Sequence, residues 1–238
     1  MKHIWLKINE VLSSRSSNLL QSLVFFSAGF SLYQLLLLGN WGLLYLVPIS
    51  FVFKEFVVSG YYHRCISHNA WECPKWLEVI FLTLGAGFGL GATIGWAAVH
   101  REHHDTADVV GVDPHGPTRS LWENITVFRR KPDQKYMEQL WSNTLLRIQG
   151  QFYWSIFFVV ASLLIMTIGL AEYFFMLFMI YLQLISLNII GHMPKLIDKM
   201  VVFGADINHE MHHDKPWKAN TNKFDIAYYT LIKWFPHN

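Results

Sequence analysis

Long uncharged apolar runs constrain this chain more than any other feature. Residues 19–38, LLQSLVFFSAGFSLYQLLLL, contain no Asp, Glu, Lys or Arg. About 20 such residues is the length a helix needs to cross the hydrocarbon core of a bilayer. Residues 41–62 return after a turn at Gly39-Asn40, and further apolar runs cover 77–98, 152–171 and 173–190. Lipid offers backbone groups no hydrogen-bond partner, so runs of this length are read as helices. Composition agrees: 53% of the residues are hydrophobic and only 15% charged, against roughly 25% charged in a soluble domain. The expected fold is an all-α integral membrane protein, one domain over residues 1–238. Lys54 and Glu55 lie well inside the second run. Neighbours in sequence do not face each other on a helix. The pair is expected to mark where that helix leaves lipid, or to face protein.

Hydropathy counts five runs, and charge asymmetry tests the count. The turns at 39–40 and 171–173 carry no Lys or Arg. Basic residues sit in the lead (Lys2, Lys7, Arg15), in the 99–151 loop (Arg101, Arg119, Arg129, Arg130, Lys131, Lys135, Arg147) and in the tail (Lys195, Lys199, Lys215, Lys218). The positive-inside rule places all three segments in the cytoplasm, which requires an even number of crossings between them. The prediction is four spans in two hairpins, about 19–38 with 41–62 and 152–171 with 173–190. A cytosolic helical cap would come from 63–151 and 191–238. Residues 77–98 are expected not to span, since Glu78 and five glycines weaken them as a lipid-facing helix. The opening eighteen residues are too polar for a secretory signal and read as a cytoplasmic lead-in. A net charge of +2 gives no reason to expect a nucleic-acid partner, and Cys65 and Cys73 read as reduced thiols.

Twelve histidines is the unusual number, and nine of them are patterned. His63 and His68 form an HxxxxH box. His100, His103 and His104 form HxxHH, as do His209, His212 and His213, and His192 stands in Asn188-Ile-Ile-Gly-His192. Residues at i, i+3 and i+4 share a helix face, so each HxxHH presents three imidazoles from one ridge. Residues five apart on a regular α-helix point about 140° apart. His63 and His68 are therefore expected to converge only if the helix ends between them. A first-row metal takes four to six ligands, so nine imidazoles suggest two metals. Neutral imidazole suits Zn, Cu, Fe and Ni. An all-histidine two-metal site at a membrane face suits iron and dioxygen. Glu102, Glu210, Asp105 and Asp214 lie in or beside the boxes and are candidates to orient ring N–H groups, or are solvated loop charges. His3 and His237 read as non-ligands, and His115 as a loop residue near the site, outside the ligand set.

These residues resemble the membrane-bound fatty acid desaturases, closest to the delta-9 acyl-lipid and acyl-CoA type. The resemblance runs through HRCISHNAWECPKWLE, GWAAVHREHHDTADVVGVDPHGP, Asn188–His192 and INHEMHHDKPWKA. It implies two Fe ions held by His63, His68, His100, His103, His104, His192, His209, His212 and His213, with Asn188 reaching one iron through water. It implies an acyl chain in a tunnel near Trp96, dioxygen as co-substrate, and electrons from a separate donor of ferredoxin or cytochrome b5 type. The implied partners are an acyl-lipid or acyl-CoA substrate, the electron-transfer protein and membrane lipids. The implied reaction places a cis double bond, delta-9 by resemblance, in a saturated chain at the cytoplasmic face. Gly95 stands where the family often has an acidic residue, and Val99 where its acyl-CoA members carry an Asp, and both departures favour a lipid-linked substrate. Arg119, Arg129, Arg130 and Lys131 are candidates for an anionic headgroup, although plain positive-inside charge accounts for them better. The alternatives are a di-iron hydroxylase at the same site, or a metal transporter or sensor. Transport sites usually place polar ligands within spans, which disfavours the last.

Overall fold

The computed structural model describes residues 16–127, 132–191 and 201–237, and their side chains except for 201–203 and 208–211. Most of the predicted lead-in, with Arg129, Arg130 and Lys131, lies outside the described residues. In chain order the helices are α1 (Ser16–Leu37), α2 (Trp41–Ser67), α3 (Lys75–Gly87), α4 (Thr93–Thr106), α5 (Leu121–Ile125), α6 (Thr144–Gln151), α7 (Tyr153–Ile168), α8 (Leu170–Ile190), α9 (His209–Asp214) and α10 (Ile226–Thr230). Strand pairing among the described residues is limited to an isolated bridge between Trp71 and His237.

Three helices, α1, α2 and α8, are each long and apolar enough to cross a membrane. A fourth crossing is available if α6 and α7, bent by 77° at Phe152, form one span. α7 alone, at 16 residues, is about 24 Å long at 1.5 Å per residue, short of a hydrocarbon core of about 30 Å. α1, the first half of α2 and α7 all lie against α8, and α3 lies against α7. Phe175, Leu177 and Ile180 of α8 are buried between them, while Phe26, Leu36, Phe158, Leu163 and Met166 remain exposed on the outer faces. An apolar exterior around a packed interior is what lipid as solvent selects.

The run at 77–98 is two helices, α3 and the start of α4, separated by Phe88–Ala92. Gly89 (φ 72°) and Gly91 (φ 83°) hold the break in the left-handed region that favours glycine. Tyrosines from the neighbouring helices pin it. Tyr173 Oη donates to Gly87 O (2.7 Å), Tyr181 Oη donates to Gly89 O (2.5 Å), and the Gly91 N–H donates to Tyr153 Oη (3.1 Å). Gln149 Oε1 accepts from the Thr93 N–H at the first turn of α4 (3.1 Å).

Two expected boundaries are corrected. The reversal expected at Ala171–Tyr173 falls at Gly169, whose φ of 102° no residue with a Cβ adopts readily, and Glu172 sits in the first turn of α8. The second run does not end at Tyr62 but stays helical to Ser67, wound as a π-helix from Lys54 onward.

Of the two readings of Lys54 and Glu55, the charges face protein. The expectation that the two side chains would not meet is wrong: Lys54 Nζ lies 2.6 Å from Glu55 Oε1 and 2.7 Å from Asp206 Oδ2. Both long side chains turn onto the segment Val201–Asn208, where the Ala205 N–H donates to Glu55 Oε2 (2.9 Å). Buried charges persist only when paired and hydrogen-bonded, and here three of them share one pocket. Arg64 is the second such case. Its guanidinium is 0% exposed, grips Asp225 through Nη1 (2.5 Å) and Nη2 (3.1 Å), and donates to Ser59 O and Ala219 O. Asp225 also caps α10 by accepting from Tyr228 N, so this pair fastens the C-terminal segment to α2.

Replacing one member of a buried pair strands the other, at a cost of about 3–5 kcal/mol, whereas a matched apolar pair is often neutral. Arg64→Leu is expected to lower the thermal midpoint of detergent-solubilised protein sharply, and Arg64→Leu with Asp225→Leu to recover most of that loss. A thermal scan in which the double variant is worse than the single one would contradict the pairing.

Candidate metal centre

The centre is assembled from the end of α2, the second half of α4 and α9. α2 delivers His63 and His68 by a route that spacing on a regular helix does not suggest. Hydrogen bonds in a π-helix join residues five apart, which brings an i, i+5 pair much closer to one face. The helix therefore does not need to end between the two histidines. It continues through Ser67, and His68 is its C-cap. The rings stand 5.1 Å apart between centroids. A wide winding leaves carbonyls poorly used within the helix, and side chains take them up. Ser67 Oγ donates to Tyr62 O (2.9 Å), Trp71 Nε1 to Gly60 O (2.8 Å), and Arg101 to Ile66 O and Ser67 O (3.0 and 2.9 Å). Arg101 belongs to the second histidine box, so the same residue that follows His100 fixes the end of the first.

α4 is a regular helix, and His100, His103 and His104 share its inner face, with His103 0% exposed. α9 brings His212 and His213. The Nε2 atoms converge. His63 Nε2 lies 2.8 Å from His212 Nε2, which lies 3.2 Å from His68 Nε2, which lies 2.9 Å from His100 Nε2. Donor atoms of His63, His68, His100, His104 and His212 all fall within 4.8 Å of one another. His213 stacks on His104 (4.1 Å, 13°) and meets His103 edge-on at 4.9 Å.

These distances test whether the residues fit a metal. Two nitrogens bound at right angles to one first-row ion, each about 2.1 Å from it, stand about 3 Å apart. The observed contacts bracket that spacing. Protein hydrogen bonds do not satisfy the set equally well. A neutral imidazole has a single N–H to give, and His104 Nε2 is buried with no hydrogen-bond partner among the described residues. Burial first, and then charges on the neighbouring imidazoles, holds His68, His100, His104 and His212 below the ordinary histidine range. They are held as neutral imidazoles, the form that ligates metals. The donor set is chemically suited to a first-row metal ion, and the cluster could hold one.

Two carboxylates that approach the rings stand apart from the boxes in sequence. His103 Nδ1 donates to Asp113 Oδ1 (2.7 Å), both groups fully buried, and Asp206 Oδ1 lies 3.9 Å from His63 Nδ1. Asp105 is exposed and accepts from Tyr136 Oη (2.9 Å), Glu102 is half-buried on α4, and Asp214 is exposed. His192 and the side chains of His209 and Glu210 lie outside the described residues. His115, expected near the site, is buried with its ring 4.0 Å from that of His103, and His103, Asp113 and His115 form a second compact group of donors. Asp113 had a sequence signal. It opens Asp-Pro-His, and its carboxylate takes the N–H two residues on, His115 N (3.1 Å), as Asp does in tight turns. Asp206 lies three residues before His209, inside a non-α segment, where α-helical spacing gives no guidance.

An apolar cavity of about 390 Å³ opens beside the cluster. His63, His100 and Asp206 line its polar end, with Trp96, Asn188 and Tyr181 along its walls. The Trp96 ring lies nearly parallel to that of His100 (5.4 Å, 17°), so indole and imidazole meet where the apolar space reaches the donors.

No family model matches the chain. Several characterised proteins do match part of it. An sn-1 stearoyl-lipid 9-desaturase of Synechocystis sp. is 35% identical over 80 residues, 31% of this chain and 25% of that one. A chloroplastic palmitoyl-monogalactosyldiacylglycerol delta-7 desaturase of Arabidopsis thaliana is 38% identical over 80 residues, 31% of this chain and 21% of that one. Over these segments the chain is similar to fatty acyl desaturases. An acyl-CoA 5-desaturase of Anemone leveillei is also similar, 36% identical over 61 residues, 26% of this chain and 18% of that one. The match thus spans about a quarter or less of the length of these desaturase relatives.

A direct check is metal retained after purification and desalting. His100→Ala and His212→Ala are each expected to lose at least about half of the wild-type metal, and His237→Ala, whose ring bonds Tyr228 and Phe235, to lose none. Wild-type metal content in the first two variants would remove the cluster as a metal site.

Proposed function

We propose that the protein is a membrane fatty acyl desaturase that uses dioxygen, two external electrons and two protons to convert a –CH2–CH2– pair into –CH=CH–, with two waters formed. The observation that carries this reading is the meeting of an all-imidazole donor cluster with an apolar cavity at Trp96 and His100. Two irons would be held by His63, His68, His100, His103, His104, His192, His209, His212 and His213, with Asn188 through water. Bound there, iron supplies the oxidising power that an unactivated C–H bond demands. The chain's own residues do the rest. The cavity walls hold the acyl chain in place and keep water out. Trp96 and the break at Phe88–Ala92 shape the space next to the imidazoles. The buried histidines stay neutral and so remain ligands.

A lipid-linked acyl chain is the proposed substrate, supported by the names of the first two relatives and by Gly95 and Val99. Delta-9 is the proposed position, the one named for the first relative; other relatives are named for positions 7 and 5. A ferredoxin or cytochrome b5 type donor would supply electrons from the cytoplasm, the side the basic segments favour. Four crossings in two hairpins, with α3 and α4 under a cytosolic cap, fit that orientation.

Expression in a host of known lipid profile, with mass-spectrometric location of any new double bond, tests the reaction. The expected product is a monounsaturated chain two hydrogens lighter than its precursor. A product heavier by one oxygen would identify a hydroxylase instead. Gly95 lines the cavity, and a Cβ placed there meets nothing within 4 Å. Gly95→Leu is thus expected to fill space meant for substrate. The expected result is at least a tenfold lower ratio of long-chain to short-chain product, within the roughly 10- to 200-fold range of apolar pocket changes, with metal content unchanged.

A further inference from the structure

The loop between α4 and α5 is built around one buried carboxylate. Asp113 is 0% exposed. Its Oδ1 accepts from His103 Nδ1 (2.7 Å) and from the His115 N–H (3.1 Å), and its Oδ2 accepts from the Asp108 N–H (2.8 Å). Arg119 Nε donates to its backbone carbonyl (2.6 Å). Asn124 holds the next turn from both sides, accepting from Gly116 N (2.9 Å) and donating to Gly116 O (3.0 Å). Asp108 takes a φ of 62°, a conformation uncommon outside glycine, where its N–H serves Asp113. An exposed loop has no need to bury a carboxylate under this many donors. The arrangement makes sense if the loop exists to hold Asp113 in one orientation.

We infer that Asp113 is the positioning residue of the second histidine box: by accepting the Nδ1–H of His103 it fixes the tautomer and ring angle that turn His103 Nε2 toward the metal. A ring nitrogen that donates to a carboxylate leaves the other nitrogen with its lone pair free for a metal, and it is a better donor for the carboxylate's charge. His115 adds the other half of the clamp, its ring lying over that of His103 at 4.0 Å and 29°. His103 is thereby held on one edge by charge and on one face by packing. This inference rests on the reading of the histidine cluster as a metal centre and is independent of which reaction the centre performs.

Full-length protein in detergent is titrated with Co(II), whose visible spectrum reports both affinity and ligand set. Asp113→Asn is expected to weaken binding about 10- to 100-fold, the usual effect of losing such a partner, with stoichiometry and band positions unchanged. The Asn substitution is expected to add little in a His103→Ala background, because its effect passes through that ring. An undiminished effect in that background would make Asp113 a general structural residue and overturn the inference. Unchanged affinity in the single variant would do the same, and shifted bands would make Asp113 itself a ligand. If Asp113→Asn does not fold, Asp113→Glu, which keeps charge and acceptor but displaces them, enters the same comparison with the same expected non-additivity. Failure of the wild-type protein to bind Co(II) would instead remove the metal-centre reading beneath it.

Discussion

Five imidazoles crowded within one donor sphere are the arrangement on which the rest of this molecule depends. The Nε2 atoms of four of them, His63, His68, His100 and His212, approach to 2.8–3.2 Å, a spacing that single N–H groups satisfy poorly and one cation satisfies well. Such a cluster has to be held from outside. The ties are unusually polar for the interior of a chain that is 53% hydrophobic: Arg64 on Asp225, Arg101 on the last carbonyls of α2, Asp113 on His103, and Lys54 on Asp206 and Glu55. Each is buried or half-buried, and each joins segments distant in sequence or fixes a histidine ring.

The apolar part of the chain follows from the same requirement. Helices α1, α2 and α8, each long and apolar enough to cross a membrane, supply apolar surface outside and part of the wall of an apolar cavity inside, which His63 and His100 also line. The glycine break at Phe88–Ala92 lets one greasy run do two jobs. α3 packs on α7, and after the break α4 carries its histidines to the cluster. Tyr153, Tyr173 and Tyr181 hydrogen-bond the backbone at the break, where helical partners are missing.

Much of this was legible in sequence. The apolar runs located the long helices to within a few residues, and HxxHH spacing placed His100, His103 and His104 on one face because α4 is a regular helix. What was not legible depends on geometry that a period of 3.6 does not encode. HxxxxH reads as divergent on an α-helix and converges only because α2 winds wide. Lys54 and Glu55 read as a pair that could not meet, and do so because both bend toward Asp206 and Ala205. Gly169, not the charged Ala171–Tyr173 stretch, turns the chain, since backbone sterics outrank polarity there. Box-adjacent carboxylates drew attention by proximity, while Asp113 reaches His103 across a loop and Asp206 approaches His63 from 143 residues away.

The central claim is that these imidazoles jointly bind a first-row metal at the head of an apolar cavity. X-ray absorption at the metal edge of the protein as purified from iron-supplied cells tests it most directly. The expected result is iron with nearest neighbours dominated by nitrogen at about 2.1 Å and the outer scattering of several imidazole rings. A shell containing sulfur at about 2.3 Å, from Cys65 or Cys73, or one without imidazole scattering, would contradict it.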